Sequence, residues 1–110
     1  LVGDVGRPDL HAHGEPEPLA RTLHDSLERL LELPDHVVVY PSHYGGSVCG
    51  RSLSSNPFST IGFERRHNSA LAETDPDAFA AALLRDLPAA PPGQDEIVAA
   101  NRAGRPRARA

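Results

Sequence analysis

Two short apolar runs decide what this chain can become. Val37-Val38-Val39-Tyr40 is β-branched and too apolar to have a wet face, so it reads as a buried strand. Leu1-Val2, running into Gly3-Asp4-Val5-Gly6, reads as the end of another strand. Between them Leu19, Leu23, Leu27, Leu30 and Leu31 recur at helical spacing, with Arg21, Asp25, Glu28, Arg29 and Glu32 on the other faces. Strand, helix, strand is the unit of a layered α/β sheet. Two strands cannot bury one another, so the sequence predicts more of the sheet upstream of Leu1.

The remaining punctuation is clear. Gly6, Pro8, Gly14, Pro16 and Pro18 make residues 3–18 a loop, since a helix interior does not tolerate such prolines. Pro34 stops the leucine-striped helix and Pro41 ends the strand. Residues 42–59 are rich in Ser, Gly and Asn without periodicity, and connections of that length are usually functional. Thr60 or Ser59 caps a short helix through Phe63, Glu64, Arg65 and Arg66. Asp75-Pro76 opens a helix striped by Phe79, Leu83, Leu84 and Leu87 and closed by Pro88. A last short helix occupies residues 95–102, with Gly104 as its stop. No internal repeat is visible.

Composition removes whole classes of function. Hydrophobic residues are 39% but aromatics only 5%, so the core is Leu, Val and Ala with few large anchors. No apolar run approaches the roughly 20 residues of a membrane span. The single cysteine, Cys49, excludes an intrachain disulfide and fits a reducing, cytoplasmic setting. With no Met and an apolar opening, the sequence reads as an internal or C-terminal segment of a longer protein. All basic residues are Arg, a compositional bias rather than chemistry. Residues 101–110 carry 4 Arg and no acid, while residues 1–100 carry 7 Arg against 15 acids. The acidic body argues against a nucleic-acid platform, and residues 105–110 read as a basic, solvated tail.

Five places hold residues suited to chemistry. The buried strand delivers His43 at its carboxyl end, into a loop with Gly45, Gly46 and Gly50, where α/β sheets gather ligands; such a His suits metal ligation or proton transfer, or else satisfies a loop carbonyl. Arg7 and Asp9, two apart in a turn, form a bidentate brace more readily than a catalytic pair. His11-Ala12-His13 has chelating spacing but no third ligand nearby, so a solvated loop is the better reading. Cys49, in a polar Gly-rich loop two residues from Arg51, is either a small buried hydrophobe or a thiol with redox or sulfur-transfer chemistry. Glu64, Arg65 and Arg66 read as a solvated helix face with local ion pairs, some of whose Arg reach an anionic substrate tail.

Val2-Gly3-Asp4-Val5-Gly6-Arg7-Pro8-Asp9-Leu10, Tyr40-Pro41-Ser42-His43, Ser47-Val48-Cys49-Gly50-Arg51 and the segment from Ser59 to Asn68 follow in one order and spacing. Together they resemble the C-terminal half of a metallo-β-lactamase-fold protein. The nearest likeness is to the persulfide dioxygenase branch, with glyoxalase II more distant. The likeness covers residues 1–104 and implies an αββα sandwich with a metal site at one sheet edge. Persulfide dioxygenases use a mononuclear non-haem iron, held by two His and a carboxylate, to oxidise glutathione persulfide to sulfite with O₂. Glyoxalase II instead hydrolyses a thioester with two metal ions, which makes zinc the alternative.

Carried onto this chain, the resemblance makes His43 the one matching metal-site residue, a second-metal ligand in two-metal members and a residue behind the ligands in the one-iron branch. Arg7 and Asp9, with Tyr40, brace the site, and Tyr44 and Arg51 lie toward substrate. Cys49 matches a Cys of members fused to rhodanese domains and is the catalytic candidate. The other ligands belong upstream, and Asp4 is not the ligating Asp despite its Gly-Asp context. His67 stands where Thr is common. A fused or partnering rhodanese domain and a homodimer fit the same branch, as does an inactive fragment that binds no metal.

Overall fold

The computed structural model describes residues 1–10, 15–42, 56–85 and 87–104. After a 3-10 turn at Pro8–Leu10 come helix α1 (Pro16–Leu31), strand β1 (Val38–Val39), strand β2 (Ser59–Thr60) and helix α2 (Ile61–His67). A second 3-10 turn, Ser69–Leu71, leads to α3 (Pro76–Leu84) and α4 (Gln94–Ala103). The architecture is mixed α/β, dominated by helix, with one two-stranded sheet among the described residues. None of the described helices is long and apolar enough to cross a membrane.

Helix α1 begins three residues earlier than the leucine spacing predicts. Pro16 is its first residue and Pro18 lies in its first turn. The opening amides of a helix have no intrahelical acceptor, so prolines cost nothing there; the rule that expels them applies further in. The far end behaves as expected. Glu32 terminates the helix, Leu33 donates to the Leu30 carbonyl at 3.1 Å, and Pro34 heads a tight turn closed by the Val37 amide at 3.0 Å.

Ala20, His24 and Leu27, at helical spacing on α1, face α3. They meet Phe79, Ala80 and Leu83, and Val5 from the N-terminal segment completes the core. Phe79 is its one large anchor, 3% exposed, with the His24 ring packed edge-on 5.1 Å away. Asp75 caps α3 by accepting from the Ala78 amide at 2.8 Å, as its Asp-Pro start predicts. The helix stops at Leu84, short of Leu87, because Arg85 has already turned to extended backbone. Across the outer rim, Arg21 of α1 donates to Asp77 at 2.7 Å and to Glu17 at 2.8 Å. The Asp77 hydrogen bond and charge hold the Arg21 guanidinium above its ordinary pKa. The final helix α4, residues 94–103, buries none of its residues and ends at Gly104 with φ 73°, the expected stop.

Both strand expectations need correction. Leu1 and Val2 belong to no strand, although Val2 is 1% exposed; its burial comes from packing and not from a ladder. Val37-Val38-Val39-Tyr40 forms only a two-residue strand. It runs antiparallel to β2 with Val38 opposite Thr60 and Val39 opposite Ser59. The pairing continues as the Ile61 amide donates to Val37 and the Gly62 amide to Asp35, each at 3.0 Å. Val38 is 47% exposed and Tyr40 79%. An apolar run has no preferred wet face, so its composition fixes strand propensity without fixing what covers it.

Candidate functional site

The Gly6-Arg7-Pro8-Asp9 turn is built as a fork. Gly6 takes φ 120°, a value L side chains rarely adopt, and this turns the chain into the Pro8–Leu10 3-10 segment. Arg7 then lies back on Asp9, its Nε donating to Oδ1 at 3.1 Å and its Nη2 to Oδ2 at 2.6 Å. The same Nη2 donates to the Pro88 carbonyl at 2.7 Å, tying this turn to the segment after α3. The Arg7 side chain is only 4% exposed, so the guanidinium is committed to holding two loops together.

Tyr40 directly follows β1, and Phe58 directly precedes β2. Their rings lie 6.2 Å apart and tilted, so the two ends of residues 41–57 are pinned side by side. His43, Tyr44, Cys49 and Arg51 lie outside the described residues, as do His11 and His13. The basic tail 105–110 lies outside them too. The histidines that are described do different things. His36 is exposed, His67 stacks on Phe63 at 4.6 Å, and His24 is buried against Phe79. Among the described residues no three of His, Cys, Asp or Glu come together in a way that could hold a metal ion.

Sequence reasoning misplaces Glu64. It is not a solvated partner of the neighbouring arginines but is 1% exposed. Its Oε2 accepts from the Gly3 amide at 2.9 Å and from Asn68 Nδ2 at 2.8 Å. Asn68 in turn reaches the Asp4 carbonyl at 3.5 Å, while its Oδ1 accepts from the Ala70 amide at 3.1 Å. One carboxylate therefore stitches the N-terminal segment onto α2 and the turn that follows. The spacing could have shown it, because Ile61, Glu64 and Asn68 share one helical stripe and Ile61 is plainly apolar.

Arg65 and Arg66 are also engaged. Both pair with the Asp35 carboxylate, Arg66 through Nη2 at 2.6 Å. Arg65 donates as well to the Leu31 carbonyl and, at 3.1 Å, to that of Leu33, closing the carbonyl end of α1. These side chains clamp α2 to the end of α1, an occupation that removes them from reaching toward a substrate. The clamp explains Gly62. A Cβ there would lie 2.7 Å from Cβ and Cγ of Asp35, so only glycine allows the approach.

Two depressions flank the N-terminal segment. One of about 370 Å³ lies between Gly3-Asp4 and α3, over Ala70, Glu73 and Phe79. The other, about 240 Å³, lies between Val2-Gly3 and the β2–α2 junction, with Phe58, Thr60 and Phe63 in its wall.

No protein-family model and no curated protein matches the sequence. A solved structure does: a metallo-β-lactamase from Staphylococcus aureus subsp. aureus COL, 38% identical, superposes with a TM-score of 0.76. The match takes in 88% of this chain and 27% of that one. The chain thus spans about a quarter of the length of the solved relative. With its helix-dominated architecture and the strand pair among its described residues, this chain carries part of the metallo-β-lactamase fold.

Proposed function

We propose that the chain is part of a metal-dependent enzyme resembling persulfide dioxygenase, which oxidises glutathione persulfide to sulfite with O₂. The supporting observation is the 38% identity to a metallo-β-lactamase, joined to the ordered Gly-Arg-Pro-Asp and Tyr-Pro-x-His motifs. Iron is the metal of this reading and zinc that of the glyoxalase II-like alternative. His43 is proposed as a ligand of the second metal in the two-metal reading and as a residue behind the iron ligands in the one-iron reading, with Cys49 as the catalytic candidate and Tyr44 and Arg51 toward substrate.

The described residues do not by themselves make a metal site, so no chemical step is assigned through one. Their part is positional. The Arg7–Asp9 fork fixes the turn after Gly6, and the β1–β2 pairing with the Tyr40–Phe58 contact holds Tyr40 and Phe58, on either side of the segment that carries His43, close together.

The decisive experiment measures O₂ consumption with glutathione persulfide, thioester hydrolysis and metal content on this chain joined to the remainder of a metallo-β-lactamase fold. Iron with O₂ uptake supports the dioxygenase; zinc with hydrolysis alone replaces it with the thioesterase. The 110 residues alone are expected to be silent, and stoichiometric iron binding with turnover by them would overturn the reading that the other metal ligands lie outside this chain.

A further inference from the structure

Glu64 carries a charge that no described residue answers. It is 1% exposed, and its two donors are neutral, the Gly3 amide and Asn68 Nδ2. The arginines beside it in sequence, Arg65 and Arg66, both pair with Asp35 instead. Both donors of Glu64 fall on Oε2, and among the described residues Oε1 receives none. A carboxylate withdrawn from water without a cation is costly, and a cation that reaches it relieves that cost.

The approach to Glu64 is open. Its side chain forms part of the wall of the groove of about 240 Å³ between Val2-Gly3 and the β2–α2 junction, and no basic residue belongs to that wall. Phe58 and Phe63 stand in the same wall and are 53 and 56% exposed, so both rings can meet a ligand. Aromatic faces attract ammonium ions through the ring quadrupole. Pockets for drug-sized molecules hold roughly 300–1,000 Å³, so this smaller groove suits a ligand of a few heavy atoms.

We propose that the groove is a binding site for a small primary alkylammonium ion. The ammonium donates to the Glu64 carboxylate, and the short alkyl stem lies against Phe58 and Phe63. Oε2 keeps its bonds to Gly3 and Asn68, so the stitch between the N-terminal segment and α2 survives binding. The proposal rests on Glu64 and the groove and is independent of the dioxygenase reading.

The test titrates the isotope-labelled chain with n-butylammonium chloride at constant ionic strength, following the amide resonances of Gly3, Thr60 and Phe63. n-Butanol and butyrate are the probes of equal length. The butylammonium shifts should saturate, with a Kd at least about tenfold below that of butanol, the factor expected for one charged hydrogen bond. Butyrate should leave these amides in place. Glu64→Gln keeps an acceptor for Gly3 and Asn68 and should erase the preference for the ammonium. Phe63→Leu keeps an apolar wall without the ring and should raise the Kd about two- to fivefold. Equal affinities for butylammonium and butanol overturn the proposal, as does butyrate binding of the same strength. Shifts that rise without saturating, or a preference that survives Glu64→Gln, overturn it too. The comparison of probes is made on the native chain, so it decides the matter even if Glu64→Gln fails to fold.

Discussion

Glu64 offers the sharpest check on how the structure is held together. Replacing it by Ala removes an acceptor that satisfies two donors at once, the Gly3 amide at 2.9 Å and Asn68 Nδ2 at 2.8 Å. Hydrogen bonds to a carboxylate are worth about 1.5–3 kcal/mol net, and a buried donor left unpaired costs about 1–3 kcal/mol. These are overlapping views of one loss, and the Gly3 amide is only partly buried, so Glu64→Ala should destabilise by about 3–4 kcal/mol. A small domain holds roughly 5–15 kcal/mol in all, so the variant should be near its unfolding limit. Glu64→Gln keeps an acceptor in place and should cost about 1 kcal/mol. Asn68→Ala tests the connection, because neighbours in one network fail to add by about 0.5–3 kcal/mol in a double-mutant cycle. Urea titrations followed by helical circular dichroism suit a chain without tryptophan. If Glu64→Ala costs less than about 0.5 kcal/mol, as an ordinary surface change would, the buried-network account is refuted.

Three further outcomes follow from other parts of the molecule. Phe79→Ala empties the one aromatic anchor of the α1–α3 core and should cost about 3–5 kcal/mol in the same titration. Gly62→Ala forces a methyl to within 2.7 Å of Asp35, and should cost about 1–3 kcal/mol; an unchanged midpoint would mean that Asp35 moves freely. Arg7→Lys keeps the charge but not the planar fork to Asp9 and Pro88, so it should lose about 1.5–3 kcal/mol, nearly as much as Arg7→Ala.

Residues near their own partners were legible in advance. Asp75-Pro76 set the start of α3, Thr60 that of α2 and Gly104 the end of α4, because caps and stops act within a turn of chain. The Arg7–Asp9 pairing was legible for the same reason, two residues apart in a fixed turn. Pro16 misled because its meaning depends on whether the helix has already begun. Glu64 misled because alternating charge beside Arg65 and Arg66 looks like a wet face, while its true partners are Gly3 and Asn68.

Local chemistry thus settled which stretches are helical and most of their caps and stops, and that the fold is mixed α/β. Contacts distant in sequence settled the rest: that Val38–Val39 pairs antiparallel with Ser59–Thr60, that Asp35 receives both arginines, and that Gly3 completes Glu64. Propensity is a property of a few neighbouring residues. A strand's partner or a buried carboxylate's donors are chosen only when separate stretches of chain compete for the same space.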